Sequence, residues 1–405
     1  MSTRLRVTAA QRRARMLRRH LLTDADRADD ALEVARAVVA LHATCPPTVF
    51  MSVWARTTGF VPDDLQALLY ESRSLVKQLA MRRTVFVVDR ATLADAVSAV
   101  GPRVAASERT NMLRDLRRSP DFDDPEGWID TARSAVVAEL SDGTLASSSE
   151  LRKRLPQLDG VIVAGPLDTW GGSSPMGPRV LNMMSAAGDI VRGPNTAGWH
   201  VSRPRWSSMS RWLGTELVLA DPEAGHRAMV ERWLRSFGPG TETDIVWWLG
   251  STKKAVRTAL AQLDAVEVDI EVDTDRFEPG YLLPDDLEPV EPVPPTGAVL
   301  PELDPTTMGW KERGWYLGAH GAEMFDRNGN GGQSIWWDGR IVGGWFFRPD
   351  GSIGLHPLEK LPRAATKDLS ARADALADWL GEVRPKPGYP APFMAEHRLV
   401  MNEKK

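Results

Sequence analysis

The chain has 405 residues, 42% hydrophobic and 26% charged, a globular balance in a length that calls for two to four domains. Its formal net charge of −4 does not advertise a nucleic-acid partner, and no stretch approaches a run of about 18 apolar residues, so no membrane-spanning helix is expected. The single cysteine, Cys45, excludes an internal disulfide framework and fits a reducing cytoplasm; the seven histidines lack paired ligand spacing, so no metal is expected.

Thr8 is placed to N-cap a first helix whose exposed face would carry Arg12, Arg13, Arg15, Arg18 and Arg19. A second helix begins near Asp29, with Leu32, Ala35, Val38, Val39 and Leu41 at helical spacing. Pro46 and Pro47 cannot continue it, which puts His42 and Thr44 in its last turn, where carbonyls lack intrahelical partners. A third helix is expected over residues 48–57, and a fourth from Pro62, with Asp63 and Asp64 in its first turn. Residues 76–88 alternate and are rich in β-branched side chains, so they read as a hairpin, followed by two helices near 91–100 and 102–118.

That order, helices and then a hairpin, is the order of a winged helix, and it recurs. A helix over 128–140, a serine-capped start at 146–151, a Gly/Pro-rich loop over 165–178 and a helix over 179–187 precede two strands at 188–193 and 198–201. A third pass takes a helix over 226–237, a capped start at 241–244, a helix over 252–263, and strands at 266–272 and 281–283. Residues 284–301 are proline-rich and acidic, a stiff linker or extended wall. Residues 310–358 read as a small β-domain, and 369–383 as a late amphipathic helix. The resulting division is 8–120, 121–215 and 216–290 for three winged-helix domains, with 291–405 holding the linker, the β-domain and the final helix.

Charge is uneven along this plan. Residues 1–120 hold 20 Lys and Arg against 12 Asp and Glu, whereas 264–304 hold 13 acids and the one base Arg276. A chain with one DNA-facing surface and an acidic flank has this asymmetry, and so does ordinary surface variation. Fifteen tryptophans include the pairs Trp247-Trp248 and Trp336-Trp337; each pair could stack bases, but at least one ring of each is expected in the core. No phosphate-binding Gly-x-x-x-x-Gly-Lys, dinucleotide Gly-x-Gly-x-x-Gly or Gly-x-Ser-x-Gly elbow occurs.

Residues 39–56 (VALHATCPPTVFMSVWAR) with 75–86 (LVKQLAMRRTVF) resemble the N-terminal module of a bacterial family, the winged-helix DNA glycosylases of the AlkZ/YcaQ type. The likeness continues through the wing at 188–199, then at Leu300-Pro301-Glu302-Leu303-Asp304-Pro305, Asn328-Gly329-Asn330 and Trp337-Asp338-Gly339-Arg340-Ile341-Val342-Gly343. The family carries Gln-hydrophobic-Gln or Gln-hydrophobic-Asp where this chain has His42-Ala43-Thr44, and Met-Arg-Gly-Thr where it has Met81-Arg82-Arg83-Thr84.

The resemblance implies a mixed α+β fold, tandem winged helices in a C-shaped arrangement with a small C-terminal β-domain. It implies a monofunctional DNA glycosylase that hydrolyses the N-glycosidic bond of bulky N7- or N3-alkylated purines, for DNA repair or self-resistance to a genotoxin. Such an enzyme would act as a cytoplasmic monomer on double-stranded DNA, with no cofactor, metal or membrane. His42 would then hold the attacking water and Thr44 would orient it, because a neutral imidazole accepts a proton and a hydroxyl does not readily do so. An imidazolium would repel a developing sugar cation, so activity through His42 would fall at acid pH. A histidine near a helix C-terminus is equally what the dipole alone selects. Candidate DNA contacts are Arg12, Arg15, Arg19, Lys77, Arg82, Arg83 and Arg192, directed at phosphates rather than bases. The alternative is a non-catalytic winged-helix DNA-binding protein, which an uninterrupted basic recognition helix and a dimerisation element would favour; the sequence shows neither.

Overall fold

The short strand Arg6–Val7 lies parallel to the strand Val266–Asp273, with Val7 opposite Ile270, so this strand joins a sheet whose other members come some 260 positions later. The structure, a computed structural model, describes residues 4–164 and 172–395; residues 165–171 of the loop expected at 165–178 lie outside them. The chain forms two compact units, one of residues 1–65 with 230–405 and one of residues 66–229. This grouping cuts across the sequential division expected from the sequence, because the N-terminal helix packs with the third hairpin rather than with the first.

In the first unit, helix Ala9–Arg19 is capped by Thr8, whose hydroxyl accepts from the Gln11 N–H. Helix Ala31–Ala37 is capped by Asp30, and helix Pro46–Trp54 follows. Helix Glu242–Leu249 opens with a reciprocal cap: the Asp244 N–H donates to Thr241 Oγ1 at 3.0 Å and the Thr241 N–H to Asp244 Oδ2 at 2.9 Å. Helix Lys253–Gln262 follows, then strand Val266–Asp273 paired antiparallel with Arg276–Leu282, as the sequence predicts to within a few residues. The β-domain is a four-stranded antiparallel sheet of Gly297–Leu300, Ser334–Trp337, Arg340–Phe347 and Ile353–Pro357. Its first strand lies inside the segment expected to be linker. The apolar Gly297-Ala298-Val299-Leu300 run is buried throughout, and burial overrides the proline-rich flank. Trp233, Trp310, Trp336 and Trp345 fill the core; in both tryptophan pairs one ring is buried, Trp248 and Trp336, and the other half-buried.

In the second unit, the expected hairpin is Leu75–Leu79 against Val85–Asp89, both strands buried throughout. The two helices expected after it are one, Arg90–Leu116, running through Gly101 and Pro102. Packing offsets the hydrogen bond that Pro102 removes: helix Gly177–Ala187 comes so close that a Cβ on Gly101 would sit 2.6 Å from the Ala186 carbonyl oxygen. Helix Pro125–Glu139 and the short helix Ser148–Arg154, with Ser147 and Glu150 as its capping pair, complete the helical layer. The second expected hairpin is present, but its return strand is Pro204–Ser208 rather than 198–201. Gly198 takes a left-handed φ of 87° in the connecting loop, which the Thr196 N–H closes on the Arg203 carbonyl at 2.9 Å. Within the unit the strands lie in the order Val85–Asp89, Leu75–Leu79, Ile190–Asn195, Pro204–Ser208, Ala146–Ser147.

Candidate active site and cationic positions

His42 and Thr44 do not lie in the last turn of a helix, as the sequence leads one to expect. The preceding helix stops at Ala37; Val38 caps it, Val39 turns left-handed at φ 63°, and Leu41–His42 is a short buried strand. Pro46 and Pro47 begin the next helix instead of ending the last one. The first helical positions suit proline, since their N–H groups have no intrahelical partner in any case. The correction reverses the local field: Thr44 stands just before the positive end of the Pro46–Trp54 helix, not at the negative end of the preceding one. His42 is 4% exposed. Thr44 Oγ1 is buried and has no hydrogen-bond partner among the described residues.

The helix that follows is clamped along one face. Thr48, Ser52 and Arg56 recur every four residues and all meet the Leu300-to-Pro305 segment. The Thr48 hydroxyl donates to the Glu302 carbonyl at 3.0 Å, and Ser52 Oγ to Asp304 Oδ2 at 2.7 Å. Arg56 reaches both Asp304 oxygens, at 2.9 and 2.7 Å, and also donates to Thr306 Oγ1 and the His20 carbonyl. Burial pushes the Asp304 carboxyl up, but Arg56 and the donors around it hold it below the usual carboxylate range. His20, whose Nδ1 lies 2.8 Å from Thr306 Oγ1, is pushed down to about 3 by burial and by Arg56, and stays neutral. None of these four, His20, Arg56, Glu302 and Asp304, stood out as a functional candidate in the sequence; the four-residue spacing was visible, its partner was not.

The Glu302 carboxylate accepts the Gly388 and Tyr389 N–H groups and faces Cys45. Burial, then the Glu302 charge, raise the Cys45 thiol, so it stays protonated and unreactive.

The arginine face expected on the first helix is not exposed. Arg12 and Arg15 are each 2% exposed. Arg12 stacks on the Trp315 ring at 4.1 Å, donates to the Glu271 carbonyl at 2.7 Å, and is lowered to about 10 by burial. Arg15 pairs with Asp286 at 2.6 Å and donates to the Glu288 carbonyl. They are inward because the helix packs against the third hairpin and the extended 283–296 stretch, so neither presents its guanidinium to a phosphate. Arg19 is half-buried and shares Asp286.

In the second unit Arg82 and Arg83 form the hairpin turn, both left-handed, at φ 53° and 60°. Arg83 is exposed, 3.3 Å from Glu108. Lys77 and Arg192 lie directly opposite on adjacent strands. Lys77 Nζ donates to the Tyr70 hydroxyl at 3.0 Å; Arg192 donates to Asn182 Oδ1 at 2.8 Å and stacks on Trp206 at 4.4 Å. Burial lowers Lys77 to about 8, with Arg192 adding to the effect, and burial lowers Arg192 to about 10. Neither has a carboxylate partner among the described residues, so two facing, largely buried cations share a site with no counter-charge.

A model of the AlkZ-like family, described as DNA glycosylase AlkZ-like, matches residues 6–379. The chain belongs to the AlkZ-like DNA glycosylase family. The match begins at the parallel strand Arg6–Val7 and ends in the helix Arg363–Leu380, so it takes in the whole of the second unit and most of the first. Among solved structures the chain is similar to the Streptomyces sahachiroi DNA glycosylase AlkZ, with a TM-score of 0.73 and 19% identity over 92% of this chain and 98% of that one. At that identity the likeness speaks to the fold, and it bears out the mixed α and β class. No curated protein matches the chain. Among the described residues of this AlkZ-like chain, no helix is long and apolar enough to cross a membrane, and no group of three or more His, Cys, Asp or Glu could hold a metal ion.

Proposed function

We propose that this AlkZ-like chain is a monofunctional DNA glycosylase acting on bulky N7- or N3-alkylated purines in double-stranded DNA, in repair or self-resistance. The observation that carries the reading is buried His42 beside the buried Thr44 hydroxyl oxygen, just before a clamped helix, in a chain the family model matches from residue 6 to 379. Alkylation makes the base cationic, so it leaves with the glycosidic electron pair and becomes neutral. Water adds its oxygen to C1′, and His42 takes the proton that the water loses. The Thr44 hydroxyl, otherwise unpartnered, accepts or donates one hydrogen bond to fix the water's angle. The helix N-terminus behind it steadies the developing hydroxide.

The three passes through helices and hairpin are the proposed tandem winged helices. DNA contact is assigned to Arg19, Arg82, Arg83, Lys77 and Arg192. The last two carry the strongest physical argument, since an approaching phosphate would supply the counter-charge they lack. The protein would work as a cytoplasmic monomer without a cofactor.

The test is base release from duplex DNA carrying an N7-alkylguanine, small or bulky, scored as alkali-labile breaks, with the native chain beside His42→Ala and Thr44→Ala. Breaks that vanish in His42→Ala support the reading. No release from any adduct, with duplex binding intact, would leave the non-catalytic DNA-binding protein.

A further inference from the structure

The Lys77 ammonium has a neutral partner where a buried cation ordinarily has an acid. Its Nζ donates to the Tyr70 hydroxyl at 3.0 Å, and an ammonium carries two further hydrogens, for which the described residues supply no acceptor. The charge that acts on it is Arg192 on the facing strand, which only repels. Val87 lies opposite on the other neighbouring strand, and the one ionisable side chain of helix Gly177–Ala187, Arg179, is held by Asp115. No carboxylate of helix Arg90–Leu116 acts on it either.

Tyr70 is delivered by an uncommon piece of backbone. Ala67–Glu71 is a π-helical turn, closed by the Ser72 N–H on the Ala67 carbonyl at 3.0 Å, and such turns are rare and concentrate at functional sites. The exit from the turn is fastened. Arg73, left-handed at φ 55°, donates to the Trp212 carbonyl at 2.9 Å and stacks on the Trp212 ring at 4.4 Å. The buried Trp212 ring in turn meets the Tyr70 ring edge-on, with centroids 6.4 Å apart. Burial raises the Tyr70 hydroxyl to about 12, so it stays neutral over the range in which Lys77 titrates.

We propose that Tyr70 is a positioning residue for DNA binding, whose hydroxyl holds the Lys77 ammonium in place, charged and with two hydrogens left to give, for one backbone phosphodiester. A carboxylate at that point would aim the ammonium equally well but cancel its charge, and a phosphate would meet a neutral pair. No partner at all would leave a long, flexible side chain without a direction and its charged form less supported. A phenol directs the cation without neutralising it. The phosphodiester as ligand rests on the DNA glycosylase reading.

The experiment measures binding of a fluorescein-labelled undamaged duplex over a pH series spanning the Lys77 titration, with the native chain, Tyr70→Phe, Lys77→Met and the double variant. Phenylalanine keeps the ring against Trp212 and removes only the hydroxyl, and melting curves check that each variant is folded. Tyr70→Phe is expected to weaken binding about tenfold at neutral pH, the worth of one hydrogen bond to a charged group. It is also expected to bring the pH at which affinity starts to fall below the native value of about 8, because the ammonium loses an acceptor that favours its charged form. In the Lys77→Met background the same substitution is expected to cost nothing further. Unchanged affinity in Tyr70→Phe, weaker binding with the fall still starting at about pH 8, or an equal loss in the Lys77→Met background would each overturn the assignment. Melting in inorganic phosphate against chloride at equal ionic strength separates the sources. A phosphate-specific rise in the native chain that Tyr70→Phe loses, with duplex affinity unmoved, would make this a free-phosphate site and overturn the DNA assignment. Base release by the native chain is scored in parallel. Release with normal duplex binding by Tyr70→Phe sinks the Tyr70 role alone, whereas Tyr70-dependent binding without release sinks the glycosylase reading and leaves the Tyr70 role.

Discussion

Arg56 and Asp304 form a two-pronged ion pair, 2.7 Å at its shorter contact, with both side chains fully buried. It joins the end of the helix that follows His42 and Thr44 to a segment nearly 250 residues later in the chain. Removing one partner of such a pair leaves an uncompensated buried charge. Asp304→Asn should therefore lower unfolding free energy in urea by about 3 kcal/mol. The pH dependence has a definite sign. The folded Asp304 carboxyl lies below its unfolded value of 3.8, so its contribution is complete above that pH and is lost as pH falls through the folded value. Native protein should show this loss in acid titrations of stability, and Asp304→Asn should lack that component. Equal acid limbs in the two proteins would mean that the pair does not hold the helix.

For the chemistry, His42→Ala should reduce single-turnover base release by about 10²- to 10⁴-fold, the usual range for a general base. Thr44→Ala removes one orienting hydrogen bond and should cost about tenfold or less. His42→Gln separates the two parts of the histidine's role. Glutamine stands at this position in the family and can orient water, but it cannot accept the proton. Substantial rescue by glutamine would make orientation the larger part of the role; activity as low as in His42→Ala would make it proton acceptance. Full activity in all three variants would remove this pair from the mechanism.

At the hairpin turn, Arg83 sits at φ 60° where the family motif has glycine, and the left-handed backbone gives that glycine its reason. A non-glycine residue there costs about 1–2 kcal/mol, part of which glycine's greater chain entropy takes back. Arg83 is exposed and its contact with Glu108 is 3.3 Å, so little packing is lost on replacement. Arg83→Gly should therefore raise the melting temperature slightly while weakening duplex binding. A fall in melting temperature would show that the Glu108 contact outweighs the backbone strain.

Much of the fold was legible because it is written locally. Thr241 and Asp244, or Ser147 and Glu150, announce their helix starts through residues three apart, and the alternation over 76–88 names its own hairpin. What stayed hidden is long-range. The basic periodicity of the first helix suggested a solvated face, because nothing near Arg12 and Arg15 reveals that Trp315, Glu271 and Asp286 will cover them. Pro46 and Pro47 fit a helix start as well as a stop, and only the left-handed turn at Val39 decides between them. Pro102 looked like a helix boundary until the close approach at Gly101 supplied the packing to carry the helix through it. The Lys77–Arg192 pair needed the strand register, which joins residues more than a hundred apart.

That pair yields a prediction in which stability and binding respond to pH in opposite directions. Burial lowers the folded Lys77 ammonium from 10.5 to about 8. Between those values the unfolded chain binds more protons than the folded one, so unfolding free energy should rise as pH climbs from about 8 toward 10.5. The shift corresponds to roughly 3 kcal/mol as an upper bound, and Lys77→Met should abolish the rise. DNA binding should behave in the opposite way. A phosphate placed against Lys77 and Arg192 favours the charged amine, so the duplex complex takes up a proton above about pH 8 and affinity falls as pH increases through that value. Lys77→Arg, charged throughout the range, should flatten the affinity profile. Parallel pH profiles for the native chain and Lys77→Arg would show that no phosphate reaches the Lys77 ammonium.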